Sequence, residues 1–554
     1  MKKSVLIAFS LLAAGSGVFG QKKPVASAAK PATGVARPKL VVGIVVDQMR
    51  WDYLYRFNPV FKANGGFKRF LNEGYSCENT FIPYTPTYTA AGHASVFTGS
   101  VPAINGVVGN NWYDNLLNKD VYCADDATVS TVGSSTVAAG QMSPRNMLTT
   151  TVTDELRIAT NFSSKVIGIA LKDRGAIMPA GHSANGAFWY DSKSGNFITS
   201  TWYTQELPEW VSNFNERKLP DSLYNLNWNL SLNKEVYTQY CTDDIKNYEG
   251  KPFGKDAISF PYTLSQFAGK DYGKLATTPH GNTITAELAK AAIAAERLGK
   301  GTNTDFLTVS FSSPDYIGHT FGPNSWEQLD GYIKLDETLG KLFEYLDAQV
   351  GKNQYTVFLT ADHGVAHVPG FSKENNLPGG SFGESLIKDI NEALKTKFGK
   401  SNIVKGRFNY QLVLNHGLID SSDLNGDDVK SFIIDYLLKQ DGVANAFEYS
   451  KLAQTTLNAT LKERITNGYY PTRCGDIMYV LKPGYMDVGS TGTTHGLWNP
   501  YDSHIPLVWY GWGIKHGATN RETYMTDIAP TVSALLHIQM PNGSVGHVIE
   551  EVMK

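Results

Sequence analysis

Aspartate and histidine side chains recur at spacings that suit two metal ions. They are Asp47, Asp315 and His319 in a D-x-x-x-H arrangement, the adjacent pair Asp362-His363, and His495. Carboxylate oxygens and imidazole nitrogens, with no cysteine among them, are donors that suit Zn²⁺. A pair of bound ions can stabilise the attacking and departing oxygens of a displacement at phosphorus. D-x-x-x-H alone is common, so the prediction depends on the whole set.

A threonine in the run from Tyr84 to Gly99 could supply the nucleophile for such a reaction. Pro86 disfavours helix before it, and the small residues from Ala90 to Ser95 allow a helix to begin. Thr89 is therefore predicted near a helix N-terminus, where free backbone N–H groups favour an anion. The alternative is that the Thr89 hydroxyl only caps this helix.

Four further side chains are candidates to bind phosphate oxygens. Asn110 and Asn111 lie in a Gly- and Asn-rich loop, where an amide either builds a turn or donates to a phosphoryl oxygen. Lys172 and Arg174 follow an apolar strand pattern, and in an extended chain residues two apart point the same way. The two cations would then converge on a phosphate monoester dianion, although a solvated strand end has the same pattern.

The elements that would position these groups are buried strands. Residues 40–46 are a continuous apolar run rich in β-branched residues, which is typical of a parallel strand covered on both faces. The runs 305–311 and 355–361 are also predicted to be strands. Each run leads into Asp47, Asp315 or Asp362, and ligands gather beyond the carboxyl ends of such strands. An aspartate can also simply begin the next turn or helix. The pattern predicts an α/β fold with a central, mostly parallel sheet.

Two long segments interrupt this pattern. Residues 175–273 are rich in Trp, Tyr, Asn and Ser, and we predict a loop-rich insertion whose aromatic residues pack at the sheet edge. Residues 367–489 alternate strand and helix patterns and are predicted to form a small α+β cap. The catalytic core would then comprise residues 39–366 and 490–554.

The N-terminal sequence predicts export. Residues 1–20 combine Lys2-Lys3, a short apolar run and small residues, as in a secretory signal peptide, and residues 21–38 would be a flexible leader. No later run approaches about 18 uninterrupted apolar residues, so no membrane span is expected. The net charge of −2 gives no basic excess for nucleic acid. An exported chain can form disulfides, and among three possible pairings we favour Cys77–Cys123 and Cys241–Cys474.

The motifs together resemble the alkaline phosphatase superfamily, in particular secreted alkaline phosphatases with a threonine nucleophile, which are related to nucleotide pyrophosphatase/phosphodiesterases. The matching motifs occur in family order across nearly the whole mature chain: Asp47 after a strand, Pro86-Thr87-Tyr88-Thr89, Asp315-x-x-x-His319, Asp362-His363-Gly364, His495-Gly496 and Asp527-Ile528-Ala529-Pro530-Thr531. The resemblance implies a three-layer α/β/α sandwich with cap insertions.

The resemblance also implies roles for individual residues. One Zn²⁺ would bind Asp315, His319 and His495, and a second would bind Asp47, Asp362, His363 and the Thr89 oxygen. Thr89 would be the nucleophile, with Thr87 the alternative, and Asn110 would bind a phosphoryl oxygen, with Asn111 the alternative. His93, His182 and His367 receive no metal role; the first two are expected to be structural or to support the ligands.

These assignments predict a periplasmic or secreted phosphomonoesterase that passes through a phosphothreonine and acts as a monomer on small phosphate esters, releasing inorganic phosphate. Lys172 and Arg174 favour a monoester, which carries about one more negative charge than a diester. The main alternative is a phosphodiesterase or nucleotide pyrophosphatase that uses the same metals. An exported binding protein that has lost catalysis is an alternative of another class, and metal analysis with a chelator test would distinguish it.

Overall fold

The computed structural model describes residues 35–554, so the predicted signal peptide and residues 21–34 of the predicted leader lie outside the described residues. The strands in chain order are β1 (Leu40–Val46), β2 (Tyr75–Phe81), β3 (Asn111–Asp114), β4 (Lys119–Tyr122), β5 (Thr131–Val132), β6 (Val166–Ala170), β7 (Gly186–Asp191), β8 (Asn196–Ser200), β9 (Asp305–Phe311), β10 (Tyr355–Thr360), β11 (Gly380–Ser381), β12 (Val404–Phe408), β13 (Gln411–Leu414), β14 (Val443–Glu448), β15 (Ile477–Leu481), β16 (Tyr485–Met486), β17 (His504–Ile505), β18 (Leu507–Gly511) and β19 (Gly517–Tyr524).

The α-helices in chain order are α1 (Tyr53–Arg56), α2 (Gly66–Glu73), α3 (Thr89–Thr98), α4 (Pro102–Asn105), α5 (Val152–Ala159), α6 (Asp173–Ala180), α7 (Glu209–Glu216), α8 (Leu219–Tyr224), α9 (Lys234–Tyr240), α10 (His280–Ala295), α11 (Ser313–Phe321), α12 (Trp326–Leu346), α13 (Pro369–Glu374), α14 (Leu386–Phe398), α15 (His416–Ser421), α16 (Gly426–Leu438), α17 (Ala459–Gly468), α18 (Pro500–Ser503) and α19 (Ile528–Leu536). Within residues 35–554, none of these helices is both long and apolar enough to traverse a bilayer.

A central sheet of eleven strands organises the molecule. Its order is β17-β2-β18-β10-β1-β9-β6-β7-β8-β5, and β19 pairs with β2 outside this path. The block β10-β1-β9-β6-β7 is parallel throughout. Antiparallel pairs extend it on both sides, through β18 and β2 at one edge and β8 and β5 at the other. The predicted α/β class and its parallel centre are confirmed, and the antiparallel edges make the whole sheet mixed.

Helices cover this sheet in two groups that pack among themselves. One group comprises α2, α10, α11 and α12, and the other α3, α5, α6 and α19. Every residue of β1, β9 and β10 is buried, so none of these strands has a solvent-facing side. The β1 strand is accordingly a continuous apolar run, whereas β9 and β10 include buried Thr, Ser or Asp side chains. The three-layer architecture thus follows from strands that need cover on both faces.

The expectation of a loop-rich insertion at residues 175–273 is wrong for its first part. Strands β7 and β8 belong to the central sheet, and β7 is buried along its full length. Its aromatic residues pack inward, and the Trp189 indole N–H donates to the Ala139 carbonyl at 2.8 Å. Burial on both faces removes the alternation by which a strand is recognised in sequence.

Residues 404–481 hold a second sheet of order β12-β13-β15-β14. Helices α14 and α16 pack against it and share an apolar cluster with its strands, which includes Ile390, Leu412 and Ile433. This arrangement has the strand and helix content expected of the predicted α+β cap. The domain boundaries themselves stay a prediction.

The four cysteines are free thiols, so the favoured disulfide pairing is wrong. Cys77 lies in the apolar cluster of the central sheet, whereas Cys123 lies in a different cluster with Cys474. The Cys241 thiol contacts the Ser325 carbonyl at 3.2 Å, and Cys474 accepts from the Tyr470 N–H at 3.4 Å. Cys77, Cys123 and Cys474 therefore pack as small buried side chains, and Cys241 is partly buried.

Candidate active site

The carboxyl ends of four neighbouring parallel strands bring the candidate residues together. Asp47 directly follows β1, and Asp362 lies two residues beyond β10. Asp315 lies in the first turn of α11 after β9, and Lys172 lies two residues after β6. Because β10, β1, β9 and β6 are adjacent and parallel, these side chains meet at one edge of the sheet.

The nucleophile candidate Thr89 is the first residue of α3 and is 1% exposed. Its Oγ1 lies 3.4 Å from His363 Nε2. The helix can approach this closely because Gly92 has no side chain: a Cβ there would lie 2.4 Å from the Asp362 carbonyl oxygen. The small residues of the sequence run therefore let a helix start dock onto the end of β10.

Thr87, the alternative nucleophile, is engaged elsewhere. Its hydroxyl donates to the Leu497 carbonyl at 3.0 Å, and its own carbonyl accepts from His495 Nδ1 at 2.7 Å. Thr87 therefore orients a histidine through its backbone.

The three candidate histidines are held in one orientation by backbone carbonyls. In each ring Nδ1 can donate to a carbonyl oxygen, so Nε2 is left as the acceptor or metal ligand. The Nδ1 contacts are His363 to Gly364 at 2.9 Å, His495 to Thr87 at 2.7 Å and His319 to Thr493 at 2.7 Å. Burial lowers the pKa of His363 and of His495, which favours the neutral form that binds metal.

Ligand atoms converge in two overlapping groups. Asp47, Asp362 and His363 form one group, and Asp315, His363 and His495 form the other, with the ligand atoms of each within 4.8 Å of one another. The His363 and His495 rings stack with centroids 3.5 Å apart.

His319 stands outside both groups, although the family resemblance assigns it to the same ion as Asp315 and His495. Its Nε2 lies 3.1 Å from Asp315 Oδ1, and its side chain is 35% exposed. His319 therefore lies where the cluster opens to solvent.

The donor set fits cations. Asp47 Oδ1 and Asp362 Oδ2 are buried and have no hydrogen-bond partner, and their carboxylates are fully buried. Burial, together with the charges of Asp315 and Asp362, raises the pKa of Asp47 well above its usual range. Several buried carboxylates with unpaired oxygens lie close together, so nearby positive charge is needed to stabilise them. Carboxylate oxygens and imidazole nitrogens are the donors found in zinc sites.

Lys172 supplies part of that charge. Its Nζ lies 2.7 Å from Asp47 Oδ2 and 2.5 Å from Asp315 Oδ2. Burial opposes the charged form, but the Asp315 and Asp47 carboxylates outweigh it and raise the pKa of Lys172.

Arg174 does not extend from a strand end beside Lys172, as the sequence pattern predicted. Lys172 is the N-cap of α6 and Arg174 lies in its first turn. The Arg174 guanidinium donates to the Tyr122 hydroxyl at 3.1 Å, and that hydroxyl donates to Asp173 Oδ1 at 2.5 Å. The start of a helix replaces the expected extended geometry, because the chain turns at the sheet edge to return as α6.

Asn110 is anchored to the nucleophile helix. Its Oδ1 accepts from the Ala90 N–H at 2.9 Å, which leaves the amide N–H₂ as a donor beside Thr89. Asn111 instead begins β3 and is exposed. The structure therefore places Asn110, and not Asn111, against the candidate site.

Several supporting residues were missed or left without a role at the level of sequence. His93 Nδ1 lies 2.9 Å from the Thr89 carbonyl and 3.3 Å from Asp362 Oδ2, so it supports the site as expected. His182 contacts Asp154 and the Met147 carbonyl and is structural. Gln48 and Tyr122 were not predicted from the sequence, because glutamine and tyrosine have no motif that indicates a metal or phosphate site. Only their contacts in the structure show that they lie beside the candidate site.

The chain is similar to known proteins over most of its length. The family model of type I phosphodiesterase / nucleotide pyrophosphatase matches residues 41–504. The chain is 53% identical to alkaline phosphatase PhoV of Synechococcus elongatus over 525 residues, 94% of each chain. It is 49% identical to alkaline phosphatase PafA of Elizabethkingia meningoseptica over 543 residues, 97% of each.

Solved structures show the same fold. The crystal structure of wild-type alkaline phosphatase PafA superposes with a TM-score of 0.92 at 48% identity and covers 94% of this chain and 100% of that one. Murine ectonucleotide pyrophosphatase / phosphodiesterase 5 has a TM-score of 0.50 at 14% identity, over 93% of this chain and 100% of that one, and shows the fold alone. The chain therefore belongs to the type I phosphodiesterase / nucleotide pyrophosphatase family of the alkaline phosphatase superfamily.

Proposed function

We propose that this protein is an exported, zinc-dependent alkaline phosphatase that hydrolyses phosphate monoesters through a phosphothreonine. One observation carries the proposal. The buried Thr89 hydroxyl, at the start of a helix, lies 3.4 Å from His363 Nε2 in the cluster that contains the unpartnered oxygens of Asp47 and Asp362.

Two Zn²⁺ ions would be held by seven residues, the five members of the two ligand groups together with Thr89 and His319. Asp315, His319 and His495 would hold one ion, and Asp47, Asp362, His363 and the Thr89 oxygen the other. When bound, zinc supplies Lewis acidity, which stabilises negative charge on oxygen and lowers the pKa of coordinated oxygen atoms. The identity and number of the ions are part of the proposal.

The residues of the chain bind and orient the phosphate. The Asn110 amide N–H₂, held through its own oxygen, would donate to a phosphoryl oxygen, and Lys172 and Arg174 would offset the dianion charge. The N-terminus of α3 adds free backbone N–H groups at the same place.

The reaction then has two displacements. Thr89 Oγ1 forms a bond to phosphorus while the bond from phosphorus to the ester oxygen breaks, and the threonine proton ends on the departing alcohol. Water next attacks the phosphothreonine, the Thr89 oxygen leaves and regains a proton, and inorganic phosphate is released.

A solved variant of PafA supports the choice of residues. That variant carries four substitutions, of a threonine, an asparagine, a lysine and an arginine, in the same order and with the same separations as Thr89, Asn110, Lys172 and Arg174. Carried over to this chain, these are the nucleophile and the three phosphate-binding groups proposed above.

Phosphodiester hydrolysis is the second candidate, because the matching family model is named for that activity. The buried ammonium of Lys172 favours the monoester, since a diester carries less negative charge to stabilise. Rates with p-nitrophenyl phosphate and bis-(p-nitrophenyl) phosphate on the purified, zinc-loaded protein decide between the two. A faster diester reaction would refute the monoesterase assignment.

Substitution of Thr89 tests the nucleophile. Thr89→Ala is expected to abolish turnover of p-nitrophenyl phosphate while inorganic phosphate still binds, because the other contacts to the anion remain. Thr87→Ala is the matched control: it loses one hydrogen bond, about 1 kcal/mol of stability, and should retain phosphorylation at position 89. Full activity of Thr89→Ala would exclude the phosphothreonine mechanism.

We also propose that residues 1–20 direct export to the periplasm or medium and that the mature chain is a monomer. The core would comprise residues 39–366 and 490–554, with residues 367–489 as a cap. N-terminal sequencing of the protein from cell fractions, and its mass in solution, test the first two points. A mature chain that begins at Met1 would contradict export by this route.

A further inference from the structure

Gln48 has an unusual backbone conformation beside the metal-ligand cluster. It directly follows Asp47, is fully buried and has a φ of 64°, in the left-handed region that residues other than glycine seldom adopt. Such a conformation persists only when surrounding contacts impose it, and it is found most often at functional sites. The contacts that hold Gln48 in this conformation therefore point to a role at the site.

The residue donates two hydrogen bonds to two candidate ligands. Its backbone N–H donates to Asp362 Oδ1 at 3.1 Å, and its side-chain Nε2 donates to Asp315 Oδ1 at 2.6 Å. These carboxylates belong to different ligand groups, one with Asp47 and the other with His495. Gln48 therefore connects the two halves of the site.

The amide group of Gln48 serves as a donor. Its Oε1 is buried and has no hydrogen-bond partner. Helix α11 makes room for that oxygen, since a Cβ at Gly318 would lie 2.0 Å from it. The Oε1 acceptor is thus buried without a hydrogen bond, whereas the N–H₂ group donates to Asp315. The nitrogen is therefore the end of the side chain that interacts with the site.

We propose that Gln48 is a positioning residue that fixes the Asp315 and Asp362 carboxylates relative to each other, and thereby sets the spacing of the two zinc sites. The inference rests on the proposed function. A hydrogen bond that fixes a ligand carboxylate reduces the conformational entropy that the carboxylate loses when the ion binds. Substitutions of such hydrogen-bond partners weaken metal binding or activity by about 10–100-fold. Gln48 hydrogen-bonds to the two aspartates and acts through them.

The test uses Gln48→Met, which keeps the length and the backbone donor but removes the side-chain donor. Gln48→Gly is a second variant that suits a positive φ and keeps the protein foldable if methionine packs poorly. Gln328→Met is the matched control, because Gln328 is a buried neighbour whose Nε2 donates to the Pro314 carbonyl at 3.3 Å. Zinc content is measured after equilibration against a chelator series, together with kcat, KM and thermal unfolding of the metal-free proteins.

We expect both Gln48 variants to retain zinc about 10–100-fold more weakly than the wild type and to regain activity when zinc is added in excess. KM should change little in the zinc-saturated variants, and Gln328→Met should hold zinc as the wild type does.

The proposal is overturned if either folded Gln48 variant binds zinc with wild-type affinity, or if Gln328→Met loses zinc to the same extent. A wild-type protein that binds no zinc and hydrolyses no phosphate ester would instead refute the proposed function, so the two failures are distinguishable.

Discussion

Replacing Lys172 by alanine should separate monoester from diester hydrolysis. The ammonium is buried, with 3% of the side chain exposed, and lies 2.5–2.7 Å from Asp315 and Asp47 at the carboxyl ends of the strands. A monoester dianion carries one negative charge more than a diester. One unit charge at about 4 Å, with an effective dielectric constant of about 20, contributes roughly 4 kcal/mol. That energy corresponds to about a 10³-fold difference in rate.

Part of this energy is offset, because Arg174 remains and the two carboxylates already share the ammonium. We therefore expect kcat/KM for p-nitrophenyl phosphate to fall by about 10²–10³-fold and that for bis-(p-nitrophenyl) phosphate by less than about 10-fold. Assays need zinc-saturated protein, since loss of the ammonium leaves Asp47 and Asp315 without a cation in the metal-free state, at a cost of about 3–5 kcal/mol.

Lys165→Ala is the matched control for this experiment. Lys165 precedes β6 at the end opposite to Lys172, is 40% exposed and pairs with Glu296 at 2.8 Å. Its removal should change both rates equally, if at all. Equal losses on the two substrates in Lys172→Ala would show that the lysine only holds the aspartates together and does not distinguish substrates by charge.

Two further predictions concern groups outside the ligand set. Tyr122→Phe removes the hydroxyl that accepts a hydrogen bond from Arg174, so kcat/KM for the monoester should fall by about 10-fold. Tyr113→Phe, on the same hairpin, is the control and should leave kcat/KM unchanged. Equal rates in the two variants would exclude a role for Tyr122. Glu327 is fully buried and its Oε2 has no hydrogen-bond partner. Burial raises the pKa of Glu327 to about 8. The contribution of the protonated side chain to folding stability is therefore present below about pH 4.5 and is lost as the pH rises through 8. Glu327→Gln should therefore raise the free energy of unfolding by about 2 kcal/mol at about pH 10 and by much less near pH 5, as measured by thermal unfolding. If the variant is no more stable than the wild type at high pH, ionisation of the buried Glu327 does not destabilise the fold.

Local sequence features predicted the centre of the fold and the elements that carry the site. Strand β1 was evident as an apolar run, because both of its faces are covered and no alternation is needed, and β9 and β10 were also recognised as strands. The start of α3 at Thr89 followed from Pro86 and the small residues after it. Strands β7 and β8 were not recognised, since an aromatic buried strand has neither a helical nor a two-residue period.

The sequence by itself determined which groups are candidates for the chemistry, because metal-ligating, hydroxyl and cationic side chains are defined by residue type. Only the tertiary structure decided how they are paired: Lys172 with Asp47 and Asp315, Arg174 with Tyr122, and Gln48 with Asp315 and Asp362. Hydrogen bonds and ion pairs depend on distances of about 3 Å between residues far apart in the chain. Periodicity and spacing describe neighbours along the chain, so they cannot supply those distances.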